Sequence, residues 1–293
     1  MKRIVTVQDI SCIGKCSLTV ALPIISAMGI ETAIIPTAVL STHTAFHGGF
    51  TFRDLTEDIT PIMNHWEKEK FEFDGIYTGY LGSLKQIDLM KDLISRFGKD
   101  SKTVKIVDPC MADGGKLYPG FNEEFAAHMA TLCGEADIIL PNLSEASFLL
   151  VEKYMETGYS EDDIKALMKR LAALGCRKVV LKGVVFNEDQ KDLKGIKGKI
   201  GICCYDSEKS SYSWYFHKRI STSFHGTGDI FASVFTGALL NGFSIEKSYA
   251  LAGDFVVKSI EETLSHENYN TYGVDFEAVI PYLVKELEKR SRV

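Results

Sequence analysis

Apolar residues along this chain fall into two repeating patterns. Short runs rich in β-branched residues are followed by longer stretches whose apolar residues lie three and four apart. RIVTV (3–7) has the make-up of a strand. SLTVALPIISAMG (17–29) has helical spacing closed by Gly29, with Pro23 marking a kink or a late start. Further strands are expected over TAIIPTAVL (32–40), TVKIVDP (103–109), ADIILPN (136–142) and KVVLKG (178–183), and GIYTGYLG (75–82) reads as a short strand entering a glycine-flanked loop. LKQIDLMKDLISRFG (84–98) and EDDIKALMKRLAALG (161–175) are amphipathic helices, the second opening on acids and closing on Gly175. IGICCYD (200–206) and SYSWYFHK (211–218) suit the two arms of a hairpin, and helices near 228–241, 245–263 and 274–289 finish the chain.

Strands that alternate with helices predict an α/β fold with a mostly parallel central sheet and helices on both faces. Ligands of such sheets bind at the carboxyl ends of the strands. Polar or glycine-rich clusters recur at those ends: Gln8–Ser11, Thr42 to Thr44, Gly79 with Tyr80, Asp108, Asn142, and Lys182 with Gly183.

The 293 residues suit one large α/β domain or two small ones, and no repeat or low-complexity linker divides them, so a single domain over 1–293 is expected. A net charge of −6 and the lack of long basic runs argue against nucleic acid as a partner. The N-terminal MKRIVTVQDI is too short and too soon charged for a signal-peptide core. No stretch approaches the roughly 18 apolar residues of a membrane span. Seven cysteines at irregular spacing, without a C-x-x-C, fit reduced thiols in a cytoplasm.

The segment HGTGDIFASVFTGALLNG (225–242) holds the strongest candidate chemistry. Ile230, Phe231, Val234, Phe235, Ala238 and Leu239 form one helical face, which places Gly226, Thr227 and Gly228 at a helix N-terminus. Free backbone N–H groups and the positive dipole end make an anion site there. Asp229 then has two readings. It is a first-turn acid capping its own helix, or it is a general base beside an anion hole. Phosphoryl transfer needs both a base and such a hole.

Other acids fall at strand ends. Asp108 closes one strand and Asp113 follows in its loop. Asn142 and Glu145, three apart, suit either a capping box or oxygen contacts to a Mg²⁺–ATP complex. His43 and His47 lie four apart in an expected loop without a third ligand nearby, which argues against a metal site. Trp66 and Trp214 read as packing residues.

STHTAF (41–46), YTGYLGS (77–83), DPCMADGGKLY (108–118), LPNLSEA (140–146), VVLKG (179–183) and GTGDIFAS (226–233) together resemble the ribokinase superfamily, and within it the pyridoxal (vitamin B6) kinases. The resemblance spans nearly the whole chain in consistent order. It implies a ribokinase-like fold and ATP-dependent phosphorylation of the 5′-hydroxymethyl group of pyridoxal, pyridoxine or pyridoxamine. It makes Asp229 the catalytic base and Gly226, Thr227 and Gly228 the anion hole. It places His43, Thr44 and Tyr80 at the B6 ring, and Asn142, Lys182, Gly183 and Phe224 at the nucleotide. It assigns Asp113 and Glu145 to Mg²⁺ and to a monovalent cation such as K⁺, and it implies a homodimer.

The chain departs from the family where many members carry serine after the first strand's glutamine. Here QDISCIGKCSL places Asp9 in the serine position, and Ser17–Leu18 replaces a Gly–Asn pair. Asp9, expected to bind substrate, can pair with a protonated ring nitrogen, orient a ring hydroxyl, or signal a related ring such as hydroxymethylpyrimidine. The rivals are a hydroxymethylpyrimidine kinase and a non-catalytic B6-binding protein on the same fold. A sugar kinase fits the motifs poorly, and a dinucleotide dehydrogenase lacks G-x-G-x-x-G after the first strand.

Overall fold

The structure is a computed structural model that describes residues 1–44, 46, 49–100, 102–186 and 196–291. The chain runs through β1 (Arg3–Ile13), α1 (Leu18–Ala27), β2 (Glu31–Thr42), β3 (Phe52–Asp54), α2 (Thr56–Lys68), β4 (Gly75–Thr78), α3 (Leu84–Phe97) and β5 (Val104–Val107). A small ribbon of β6 (Ala112–Asp113) and β7 (Lys116–Leu117) follows, then α4 (Glu123–Cys133), β8 (Ile138–Ile139), α5 (Leu143–Leu149), α6 (Glu161–Ala172) and β9 (Lys178–Val184). The hairpin β10 (Lys199–Asp206) and β11 (Ser211–Lys218) precedes α7 (Thr227–Leu240), α8 (Ile245–Leu264) and α9 (Ile280–Ser291).

Nine of these strands make one sheet in the order β11-β10-β9-β8-β5-β4-β1-β2-β3. The six from β9 to β2 pair in parallel, and antiparallel strands close both edges. The expected mostly parallel sheet is therefore present. Alternate residues feed the two faces, as the pleat requires. Ile4 enters a core with Ile24 of α1 and Phe235 of α7, whereas Val5 and Val7 enter the opposite core with Met90 of α3 and Met129 of α4. With both faces covered, β4 is buried throughout.

Several local expectations change on contact with the fold. α1 begins at Leu18 and continues through Pro23, so a late start does not apply. The strand expected over 136–142 shortens to two residues, because Pro141 ends its donors and α5 starts at Leu143. α2 carries Pro61 and a mostly polar surface, and only Thr56, Ile59 and Met63 are buried. That sparse pattern hides it in the sequence, and α4 is a further helix that the periodicity does not announce. The final helix is split into a 3₁₀ turn over Phe276–Val279 followed by α9. Trp66 and Trp214 pack against the core, as expected. Among the described residues no helix is long and apolar enough to cross a membrane.

Candidate active site

The parallel strands β1, β4, β5, β8 and β9 end on one edge of the sheet, and the N-terminus of α7 faces that edge. β1 lies between β2 and β4, so the strand order reverses there and opens the crevice in which ligands of such sheets bind.

α7 starts from Gly226, whose φ of 79° lies in the left-handed region. A Cβ at this position would stand 1.8 Å from the Lys15 carbonyl oxygen, so both conformation and space demand glycine. Among the described residues no side chain caps α7. Among the described residues a Cβ at Gly228 would meet only the Lys182 Nζ, at 3.9 Å, so an ammonium overlooks the first turn. The first turn of α7 thus keeps its backbone N–H groups without a side-chain cap among the described residues.

Asp229 does not cap its own helix. Its Oδ2 accepts the Ser17 N–H, 3.0 Å away at the start of α1, and its side chain is buried. Burial pushes its carboxyl up to about 7, against the opposing pull of the Ser17 N–H; Asp108 and Asp9 add to the rise and Lys182 opposes it. A carboxylate that titrates near neutrality suits a general base.

Lys182 Nζ donates to both carboxylate oxygens of Asp108 at 3.0 Å, and both side chains are largely withdrawn from solvent. Burial alone would lower the ammonium's pKa, but Asp108 and Glu145 outweigh it and hold the pKa above its usual value. Burial in turn raises the Asp108 carboxyl despite the attraction of Lys182. Cys110 follows Asp108 after Pro109. Burial and the carboxylates of Asp229, Asp108 and Glu145 keep its thiol protonated.

Asn142 and Glu145 form a capping box for α5. Glu145 N–H donates to Asn142 Oδ1 at 2.8 Å, and Asn142 N–H donates to Glu145 Oε2 at 2.7 Å. The Asn142 amide also donates to the Ala112 carbonyl at 2.9 Å. Asp113 is exposed on the β6–β7 ribbon and accepts the Gly114 N–H at 2.9 Å. No group of three or more His, Cys, Asp or Glu able to hold a metal occurs among the described residues, so Asp113 and Glu145 are not gathered into a protein cage. A Mg²⁺ ion that keeps most of its water and rides on nucleotide phosphates needs no such cage.

Asp9 is buried within β1, which runs past the expected 3–7 to Ile13; it sits where the register with β2 shifts between Gln8 and Ile10, and it accepts the Ser11 hydroxyl at 3.0 Å. Burial raises its carboxyl pKa. Tyr80 is pushed up to about 12, first by burial and then by the charge of Asp9, so its phenol stays a donor. Gly79 allows the Gln8 side chain to lie against the backbone, since a Cβ there would stand 2.8 Å from Gln8 Cδ. The His43 ring is buried, 4.6 Å from Phe46 and 4.9 Å from His225 by ring centres. Thr44 is exposed. Gly183 is also exposed, at φ 77°, while Phe224 is buried edge-on against Tyr269. His47, the second member of the histidine pair, lies outside the described residues.

The sequence did not disclose the Lys182–Asp108 pair, whose members lie 74 residues apart. It also did not disclose the bond from Ser17 to Asp229. The one available signal was the Ser17–Leu18 departure from the family pattern.

The chain matches the family model described as phosphomethylpyrimidine kinase over residues 23–273. A protein from Bacteroides thetaiotaomicron, assigned to the phosphomethylpyrimidine kinases and solved with pyridoxal, is 35% identical with a TM-score of 0.89, covering 96% of this chain and 95% of that one. The pyridoxal kinase of Lactobacillus plantarum is 26% identical with a TM-score of 0.87, covering 99% of each chain. The pyridoxine/pyridoxal/pyridoxamine kinase of Bordetella avium is 27% identical over 268 residues, 88% of this chain and 84% of its own.

Proposed function

Since the chain belongs to the phosphomethylpyrimidine kinase family, among the ribokinase-like kinases, we propose that it moves the terminal phosphoryl group of ATP onto the 5′-hydroxymethyl of a B6 vitamer. One observation carries this reading. A buried carboxylate that titrates near neutrality sits at the N-terminus of a helix, with a buried ammonium beside it. A protein that only binds the vitamer has no need of that combination.

In this reading Asp229 takes the proton of the hydroxymethyl group as its oxygen attacks. The free N–H groups at Gly226 to Gly228 and the dipole of α7 receive the negative charge of the moving phosphoryl, and Lys182 adds a cation at Gly228. Asp9, Tyr80, His43 and Thr44 form the ring pocket. Mg²⁺ would arrive on the ATP phosphates and supply charge neutralisation, with Glu145 and Asp113 holding its water shell and K⁺ serving beside it. Asn142, Gly183 and Phe224 face the nucleotide. We further place the protein in the cytoplasm as a homodimer and a single domain. The unpaired state of all seven cysteines fits a reducing compartment.

The specific test is ATP turnover with pyridoxal, pyridoxine, pyridoxamine and hydroxymethylpyrimidine side by side. The B6 reading expects the highest kcat/KM on a vitamer. A preference for hydroxymethylpyrimidine overturns it in favour of the ring named by the family model. Within that assay, Asp9→Asn is expected to raise KM for the vitamer by about tenfold or more while KM for ATP holds, the loss of one charge-assisted hydrogen bond. Equal changes in both would place Asp9 outside the pocket. Glu145→Ala is expected to raise the Mg²⁺ concentration for half-maximal turnover. An unchanged Mg²⁺ response with a stability loss of only about 1 kcal/mol would leave Glu145 a capping partner alone.

A further inference from the structure

The turn between β1 and α1 is backbone-strained and is held from several directions. Gly14 has φ 136°, and Ser17, a non-glycine residue, has φ 51°. The Ser17 N–H is the donor that meets Asp229 Oδ2. Between them, the Lys15 carbonyl lies against Gly226 so closely that no Cβ fits. The Lys15 side chain extends to the far end of the sequence. Its Nζ donates to Asp275 Oδ1 at 2.7 Å and to Glu277 Oε2 at 2.9 Å. Gly273 leaves room for the stem, since a Cβ there would stand 2.5 Å from Lys15 Cβ. Asp275 is anchored in turn: its N–H donates to Thr263 Oγ1 at 2.7 Å, and its Oδ2 lies 3.2 Å from His266 Nδ1.

We propose that Lys15, clamped by Asp275 and Glu277, is a positioning residue for the general base: it fixes the strained turn so that the Ser17 N–H stays aimed at Asp229. The inference rests on the reading of Asp229 as the base. Partly exposed ion pairs add little to stability, and Glu277 is more than half exposed, so stability is a poor reason for the cluster. A left-handed non-glycine residue persists only where its surroundings hold it, and this one touches the base.

The sign of the effect follows from the donor. An N–H aimed at a carboxylate favours the charged form and lowers its pKa. If the turn relaxes, Asp229 loses that donor and its pKa rises, because the other groups around it remain. Those groups are Asp9 from β1, Asp108 after β5 and Lys182 from β9, with the thiols of Cys16 and Cys110 and the phenols of Tyr77 and Tyr118 also close enough to feel its charge. The base must be ionised to act, so the acidic limb of activity moves to higher pH.

The test is the pH profile of kcat for Lys15→Met, Asp275→Asn and Lys15→Arg, with Asp229→Asn in parallel. For Lys15→Met and Asp275→Asn the acidic limb is expected to move to higher pH. Below neutrality kcat then falls roughly tenfold for each pH unit by which the limb has moved, and the deficit closes at alkaline pH. KM for ATP and for the vitamer should stay within about twofold of the parent. Lys15→Arg restores the parent profile. An unmoved limb in both disrupting variants, or a uniform loss at every pH, overturns the proposal. If Lys15→Met does not fold, Asp275→Asn decides alone. An active Asp229→Asn overturns the base reading itself, whereas an inactive Asp229→Asn beside a parent-like Lys15→Met overturns only the positioning role.

Discussion

Asp229→Asn is expected to give a folded, ligand-binding protein whose kcat is lower by about 10²–10⁴-fold, the usual worth of a positioned base. The carboxamide keeps an oxygen that can accept the Ser17 N–H, so the contact between the start of α1 and α7 survives. What disappears is the proton acceptor. Stability should move the other way from activity. The Asp229 carboxyl is raised from an ordinary 3.8 to about 7 because burial penalises its charge. A group raised in this way contributes its full stability below its unfolded pKa and loses it as pH rises through the folded one. The variant carries no such penalty. Its unfolding free energy should match the parent's near pH 4 and exceed it above pH 7, by on the order of a few kcal/mol. Steady-state kinetics and urea unfolding at the two pH values check both halves. A kcat within about threefold of the parent, far short of the base-catalysis range, sinks the mechanism.

The second large effect is expected at Lys182. Lys182→Met leaves Asp108, only 3% exposed, without its cation. Removing one partner of a buried pair costs about 3–5 kcal/mol, because the remaining charge must be desolvated alone or take up a proton. Activity should fall as well, since the ammonium no longer overlooks the first turn of α7 at Gly228. The double variant Lys182→Met/Asp108→Asn separates the two roles. It should recover much of the stability, since a neutral amide replaces the stranded charge, and recover none of the turnover. A loss below about 1 kcal/mol in the single variant would show the pair behaving as a solvent-exposed one.

Both predictions concern residues whose positions were legible before the fold and whose partners were not. Asp229 stood out behind two glycines at the start of an apolar helix, and its alternative role as a cap was equally open. The fold decided between them by turning its carboxylate onto Ser17, 212 residues away. Asn142 and Glu145 went the other way. Their three-residue spacing suggests a capping box, and the local geometry contains one. Asp113 and Glu145, linked by resemblance as metal ligands, are an exposed acid on a ribbon and a buried acid in a cap.

The sequence by itself determined the class of fold, because the hydrophobic period of each segment is set within a few neighbouring residues. Short β-branched runs alternating with helices of period 3.6 were enough to imply a parallel sheet with its ligands at one edge. It determined, too, that Gly226, Thr227 and Gly228 open a helix, since a glycine-rich turn before an apolar helix is a local feature; that Gly226 lies against the Lys15 carbonyl was decided by the fold. α2 escaped because its burial is confined to a thin stripe interrupted by Pro61. The tertiary structure alone decided which charges meet. Lys182 reaches Asp108, Ser17 reaches Asp229 and Lys15 reaches Asp275 across 74, 212 and 260 residues. The reason is physical. A charge's pKa and reach depend on burial and on neighbours within a few ångströms, and those neighbours are chosen by packing of distant segments, which no local period encodes.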